Sequence, residues 1–94
     1  MRYELRYSDE AVVQLKGLRA FERAAVIDRI ETVLSVNPTL ESRVSIKLLR
    51  QPAPTQYRLR VGDIRVYYDV QELVVSIVQV LSKEESMRYL GGAS

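Results

Sequence analysis

The chain has 94 residues, 47% apolar and 28% charged, enough for one modest hydrophobic core and too short for two. It contains no cysteine and no histidine, which removes disulfides, thiol chemistry, the commonest metal ligand and the usual general base, so no metal or cofactor is expected. The net charge of +2 hides an asymmetry: residues 43–65 hold Arg43, Lys47, Arg50, Arg58, Arg60 and Arg65 against the single acid Asp63. Such a block suits a polyanion or an acidic partner, the plain alternative being a solvated basic surface.

In chain order, MRYELRY alternates Tyr3, Leu5 and Tyr7 with Arg2, Glu4 and Arg6, the period of a half-buried strand. It never builds the apolar run of a signal peptide, and no stretch approaches a membrane span, so the chain reads as cytoplasmic and without a membrane partner. Ser8 is placed to cap a helix with Asp9 and Glu10 in its first turn and Val12, Leu15 and Leu18 along its stripe, with Gly17 helping to end it. A second helical period runs from Ala20 to Val36 through Phe21, Ala24, Ile27, Ile30 and Leu34, widened by Val26 and Val33, until Asn37-Pro38 stops it.

VSIKLL then predicts a short strand, and the prolines at 52 and 54 a loop. Strands follow over about 56–61, 64–70 and 73–81, the last β-branched enough to be a central strand covered on both faces. Ser82 and the acids Glu84 and Glu85 predict the cap and first turn of a short helix containing Met87 and Leu90, with residues 91–94 as a flexible tail. The expected architecture is a single α+β domain over residues 1–90, ordered β-α-α-β-β-β-β with a short C-terminal helix. Its antiparallel strands form a twisted sheet with the helical hairpin on one face.

The segment YRLRVGDIR fixes a register. A two-residue hairpin turn at Gly62-Asp63 opposes Val61 to Ile64, Arg60 to Arg65, Leu59 to Val66 and Arg58 to Tyr67. Leu59, Val61, Ile64, Val66 and Tyr68 then face the helices, while Arg58, Arg60, Arg65 and Tyr67 face away. Setting Arg60 beside Arg65 costs roughly a few tenths to 1 kcal/mol unless an anion lies between them, which favours function over accident. A similar turn at Gln71-Glu72 would set Tyr67 against Ser76 and Arg65 against Val78. Guanidinium forks suit phosphate oxygens and a tyrosine ring can stack on an unpaired base, so single-stranded RNA is a natural ligand.

The order of elements, with YRLRVGDIRVYYDV followed by an apolar strand and a short segment ending in tyrosine, resembles the RelE/ParE superfamily of bacterial toxin-antitoxin toxins over nearly the whole chain. Ile64 stands where an aromatic is frequent. The resemblance implies two activities on one scaffold. RelE-like members are metal-independent, ribosome-dependent endoribonucleases: a ribose 2′-hydroxyl attacks the adjacent phosphate, and cations stabilise the charge that develops. On that side, preferred here, the catalytic set is Arg65, Lys83 and Tyr89, with Lys47, Arg50, Arg58, Arg60 and Tyr67 binding RNA. Clustered cations are expected to lower the Tyr89 pKa toward a usable base. ParE-like members instead inhibit DNA gyrase without nuclease chemistry, and a non-catalytic interaction module is the third reading. Either toxin activity implies a cognate antitoxin, beside the ribosome and mRNA or gyrase. Tyr3, Val12, Leu18 and Phe21 are the residues expected to meet that antitoxin if exposed.

Overall fold

The computed structural model describes residues 2–43 and 45–91. Met1 of the first expected strand, Val44 at the head of VSIKLL and residues 92–94 of the expected tail lie outside the described residues. The elements run β1 (Glu4–Tyr7), α1 (Asp9–Lys16), α2 (Ala20–Arg29) with a π-helical turn at Ile30–Leu34, β2 (Ile46–Leu48), β3 (Tyr57–Val61), β4 (Ile64–Gln71), β5 (Val74–Ser82) and α3 (Lys83–Tyr89). The five strands form one sheet ordered β1-β5-β4-β3-β2, antiparallel throughout except that β1 lies parallel to β5.

Ser8, between β1 and α1, ties the chain to β5 and caps the helix: its N–H donates to Ile77 O, its hydroxyl donates to Val78 O, and that hydroxyl accepts the capping bond from Ala11 N. Beyond β1, the open edge of β5 meets α1, where Gln14 Oε1 accepts from Val80 N at 2.6 Å. Val78 O and Val80 N of that edge are thus satisfied by side chains, as a covered sheet edge requires.

The core lies on one face of the sheet. Ala11 and Leu15 of α1 and Val26, Ile30 and Leu34 of the second helix pack on Leu59, Ile64, Val66, Tyr68, Val75, Ile77 and Val80. The second helix departs from the expected stripe, because its buried line is 26, 30 and 34 while Phe21 remains 69% exposed. The π turn also ends the regular α-helix at Arg29, earlier than the expected Val36. Tyr68 stacks on Tyr57 and donates its hydroxyl to Pro38 O at 2.6 Å, giving a buried phenol its partner.

Two strand expectations are corrected. The turn between β4 and β5 is Glu72-Leu73, with Glu72 at φ 54° and Gln71 opposite Val74, rather than Gln71-Glu72. The register then shifts again at Val78, the extra residue of a bulge between the pairs Tyr68↔Ile77 and Tyr67↔Gln79. Tyr67 therefore lies against Gln79 and Arg65 against Leu81, which brings both close to the start of α3. The strand buried on both faces is β4, from Ile64 through Tyr68, and not β5. It is central in the strand order, with the helical hairpin on one side and α3 reaching across the other.

Candidate cationic site on the outer sheet face

The hairpin holds the register that its sequence implies. Gly62 takes the left-handed φ of 58° that a tight turn needs from its first residue, and Arg58↔Tyr67, Leu59↔Val66, Arg60↔Arg65 and Val61↔Ile64 are paired. The β2–β3 ladder adds Lys47↔Arg58, so one row across the outer face reads Lys47, Arg58, Tyr67, Gln79 and the next Arg60, Arg65, Leu81. Two like-charged pairs thus sit directly opposite one another on neighbouring strands.

Among the described residues no carboxylate forms an ion pair with them. Among the described residues the one ion pair joins Arg6 to Glu4 on β1, at the other end of the sheet order. Arg58 is half-buried and its Nε is enclosed without a hydrogen-bond acceptor. Burial lowers the Arg58 pKa most, Arg65 and Arg60 push it further down, and Tyr67 opposes them. Arg65, only 8% exposed, turns back on its own hairpin and donates to Gly62 O at 2.9 Å and Ile64 O at 3.4 Å. Lys47, Arg50 and Arg60 are exposed.

The helix α3 forms the other wall. Its N-terminus is closed by a capping box: Ser82 Oγ accepts from Glu85 N at 3.1 Å, and Glu85 Oε1 accepts from Ser82 N at 2.9 Å. Lys83, the first helical residue, is exposed, whereas Ser86 is buried with its hydroxyl unpartnered. Tyr89, on the last turn, packs on Tyr67 with ring centroids 5.0 Å apart and planes 56° apart. Lys83 and Tyr89 sit about 9 Å apart along the helix axis and a third of a turn apart around it, so they do not converge.

Two functional expectations change. Tyr67 is 1% exposed beneath Tyr89, so the ring expected to meet a base is already covered by another ring. The Tyr89 pKa is raised rather than lowered: burial is the main cause, followed by Asp69, Tyr67 and Glu10. The arginines lie toward β3 while acidic groups face the phenol, so Tyr89 stays protonated at neutral pH. Asp69 escaped the sequence reading. It accepts the Gln56 N–H at 2.7 Å and lies two positions beyond Tyr67 on the same face of β4. Ser86 escaped as well, although three-residue spacing from both Lys83 and Tyr89 marks it as the inner face of α3.

The site therefore gathers Lys47, Arg58, Arg60 and Arg65 on adjoining strands with Tyr89 at their margin, while Lys83 opens α3 just beyond the Ile64↔Ser82 pair and Arg50 follows β2. Such a face can hold an extended polyanion by its phosphates, and it can offer a phenolic proton.

The structure resembles known toxins. The toxin-antitoxin complex RelBE2 from Mycobacterium tuberculosis matches with a TM-score of 0.73 and 26% identity, covering 87% of this chain and 99% of that one. A free-state variant of toxin RelE from E. coli, with two arginines replaced by alanine, matches at TM-score 0.73 and 18% identity over 99% of this chain and 98% of that one. The archaeal RelE-RelB complex from Pyrococcus horikoshii OT3 gives 0.64 and 22%, covering 88% and 97%. The last two, below 25% identity, speak for the fold alone. No curated protein matches the sequence. The family model described as ParE toxin of type II toxin-antitoxin system, parDE, matches residues 5–87, nearly everything from β1 to α3. The chain belongs to that family, within the RelE/ParE superfamily, and is a toxin of a type II toxin-antitoxin system.

Proposed function

We propose that this toxin blocks translation by cleaving mRNA on the ribosome, holding the phosphodiester against Arg58 with Lys47, Arg60 and Arg65 around it. The observation that carries this reading is the enclosed Arg58 Nε, a charged donor without an acceptor on a face where cations oppose cations. An unpaired buried donor costs about 1–3 kcal/mol, which a phosphate oxygen would relieve. In the reaction the 2′-oxygen bonds to phosphorus while its proton passes to solvent, and the bond from phosphorus to the 5′-oxygen breaks. Tyr89, held neutral, gives its proton to that leaving oxygen, which is far more basic than the phenol, and regains one from water. The guanidinium groups stabilise the phosphorane between these steps. This assigns Tyr89 as acid only; Lys83 is left outside the reacting centre.

A second reading draws on the same tyrosine and on the ParE family match. A neutral Tyr89 far from Lys83 supplies no base, and a toxin without one would act by binding DNA gyrase. A reconstituted translation reaction with mapped mRNA ends, run beside a supercoiling assay with purified gyrase, separates the two. Cleavage that requires ribosomes supports the nuclease. Gyrase inhibition without cleavage overturns it, and neither effect leaves an interaction module.

The partner under either reading is a cognate antitoxin, since two of the similar structures are complexes with a partner antitoxin. Exposed Phe21 and Val12 are its apolar anchors here, ahead of half-buried Tyr3 and Leu18, and acidic side chains suit the arginine face. No helix among the described residues is long and apolar enough to cross a membrane, and ribosomes or gyrase place the action in the cytoplasm.

A further inference from the structure

We propose that Tyr67 is the positioning residue for Tyr89: its ring, fixed in the centre of the sheet opposite Arg58, sets where the Tyr89 hydroxyl stands at the margin of the cationic face. The proposal rests on the nuclease reading and adds a residue whose own contact with RNA the geometry withdraws.

Three features carry it. Tyr67 belongs to the central strand, paired with Arg58 on one side and Gln79 on the other, so its backbone is held from both flanks. Its side chain is enclosed, and the surface it presents is occupied by Tyr89 in a tilted contact of the kind aromatic rings prefer. The helix that bears Tyr89 has seven residues, too few to be stable without tertiary contacts. The capping box fixes the start of that helix, and the ring contact fixes its last turn. Among the described residues no hydrogen bond orients the Tyr89 hydroxyl, which leaves the ring beneath it as the group that does.

The consequence is a division of labour between two tyrosines. Tyr67 contributes a surface and Tyr89 the reacting oxygen, so the hydroxyl of Tyr67 is dispensable while its ring is not. A misplacement of the donor by about an ångström is enough to lower the chemical step by one to two orders of magnitude.

The experiment compares Tyr67→Phe and Tyr67→Leu with the unaltered toxin in ribosome-dependent cleavage, beside NMR spectra of ring-labelled tyrosine. Tyr67→Phe should keep kcat within about two-fold, and Tyr67→Leu should lower kcat about ten-fold or more with KM unchanged. The Tyr89 ring resonance, shifted by the ring below it, should persist in the first variant and move in the second. Adding Tyr89→Phe to Tyr67→Leu should cost little further activity. Should Tyr67→Leu leave kcat intact, or raise KM alone, the assignment fails, the latter because Tyr67 would then be touching RNA itself. If Tyr67→Leu proves unfolded by circular dichroism, Tyr67→Val, a good strand former, takes its place under the same criteria. Absence of ribosome-dependent cleavage by the unaltered toxin would remove the nuclease reading and this role with it, whereas cleavage indifferent to position 67 removes the role alone.

Discussion

The two faces of the sheet are built from alternating residues of the same strands, yet they obey opposite rules. Toward the helices, Leu59, Ile64, Val66, Tyr68, Val75, Ile77 and Val80 are enclosed, and the one buried phenol there has its acceptor in Pro38. Toward α3, cations face cations across two ladders, Arg58 Nε and Ser86 Oγ lack partners, and the central ring is covered by a helix of only seven residues. A sheet with period-two alternation lets one set of positions be optimised for burial while its neighbours remain unsatisfied. The lesson is that enclosed apolar positions and uncompensated cationic ones are separated by a single step along β3.

The sharpest way to break that contrast is to substitute adjacent residues of that strand. Leu59→Ala opens a cavity under the helices and should cost about 2–5 kcal/mol, a large part of the stability of a domain this size. Arg60→Gln, one residue away on the other face, relieves the opposition to Arg65 and should leave stability unchanged or raise it by a few tenths of a kcal/mol. Its effect should fall on single-stranded RNA binding, where losing one phosphate contact flattens the dependence of log K on log salt by about 0.7. Urea titrations followed by circular dichroism, the chain having no tryptophan, and binding isotherms at several salt concentrations check both halves. A destabilised Arg60→Gln would mean that the outer face is structural after all.

Arg65 straddles the two regions and gives the next largest effect. It stands among the outer cations, but its η nitrogen bonds the carbonyl oxygens of Gly62 in the turn and of Ile64 at the start of β4. Charge-assisted bonds of that kind contribute roughly 1.5–3 kcal/mol, more than the relief of one like-charge pair returns. Arg65→Met should therefore destabilise the fold by about 1–2 kcal/mol in the same urea titration. A stabilised variant would show instead that the guanidinium is held for an anion and only rests on the turn.

The same contrast explains what was legible in the sequence. The β3–β4 register followed from Gly62, whose position first in a two-residue turn admits the left-handed backbone, and from alternation on either side. The β4–β5 register did not follow, because Glu72 adopts that backbone without being glycine and nothing at Val78 marks a bulge. Both caps were readable from Ser8 and from Ser82 with its following acids. The outward face of Phe21 was not, since periodicity gives a stripe but not how far the first turn of a helix overhangs the sheet. At the site the cationic positions were visible and the arrangement of tyrosines was not: whether one ring covers another depends on where α3 lands, a tertiary fact that neither spacing nor propensity contains.

The smallest effect tests how α3 is held over the outer face. Glu85 accepts the Ser82 N–H, and this bond, ahead of the Ser82 side chain, lowers its pKa below the ordinary value of 4.5. A depressed carboxyl pKa contributes stability that is complete above the unfolded value and disappears as pH falls through the folded one. The capping box should accordingly weaken below about pH 4.5, with faster exchange of the Glu85 amide and a loosening of the contact between Tyr89 and Tyr67. Glu85→Ala should produce the same loosening at neutral pH, at about 0.5–1 kcal/mol of local stability, and should abolish the pH dependence. Global unfolding should move far less than local exchange, because Glu85 is exposed and no part of the hydrophobic core. If acid loosens Tyr89 equally in Glu85→Ala, the sensitivity belongs to Asp69 or Glu10 facing the phenol, and the helix is seated by its C-terminal ring contact rather than by its cap.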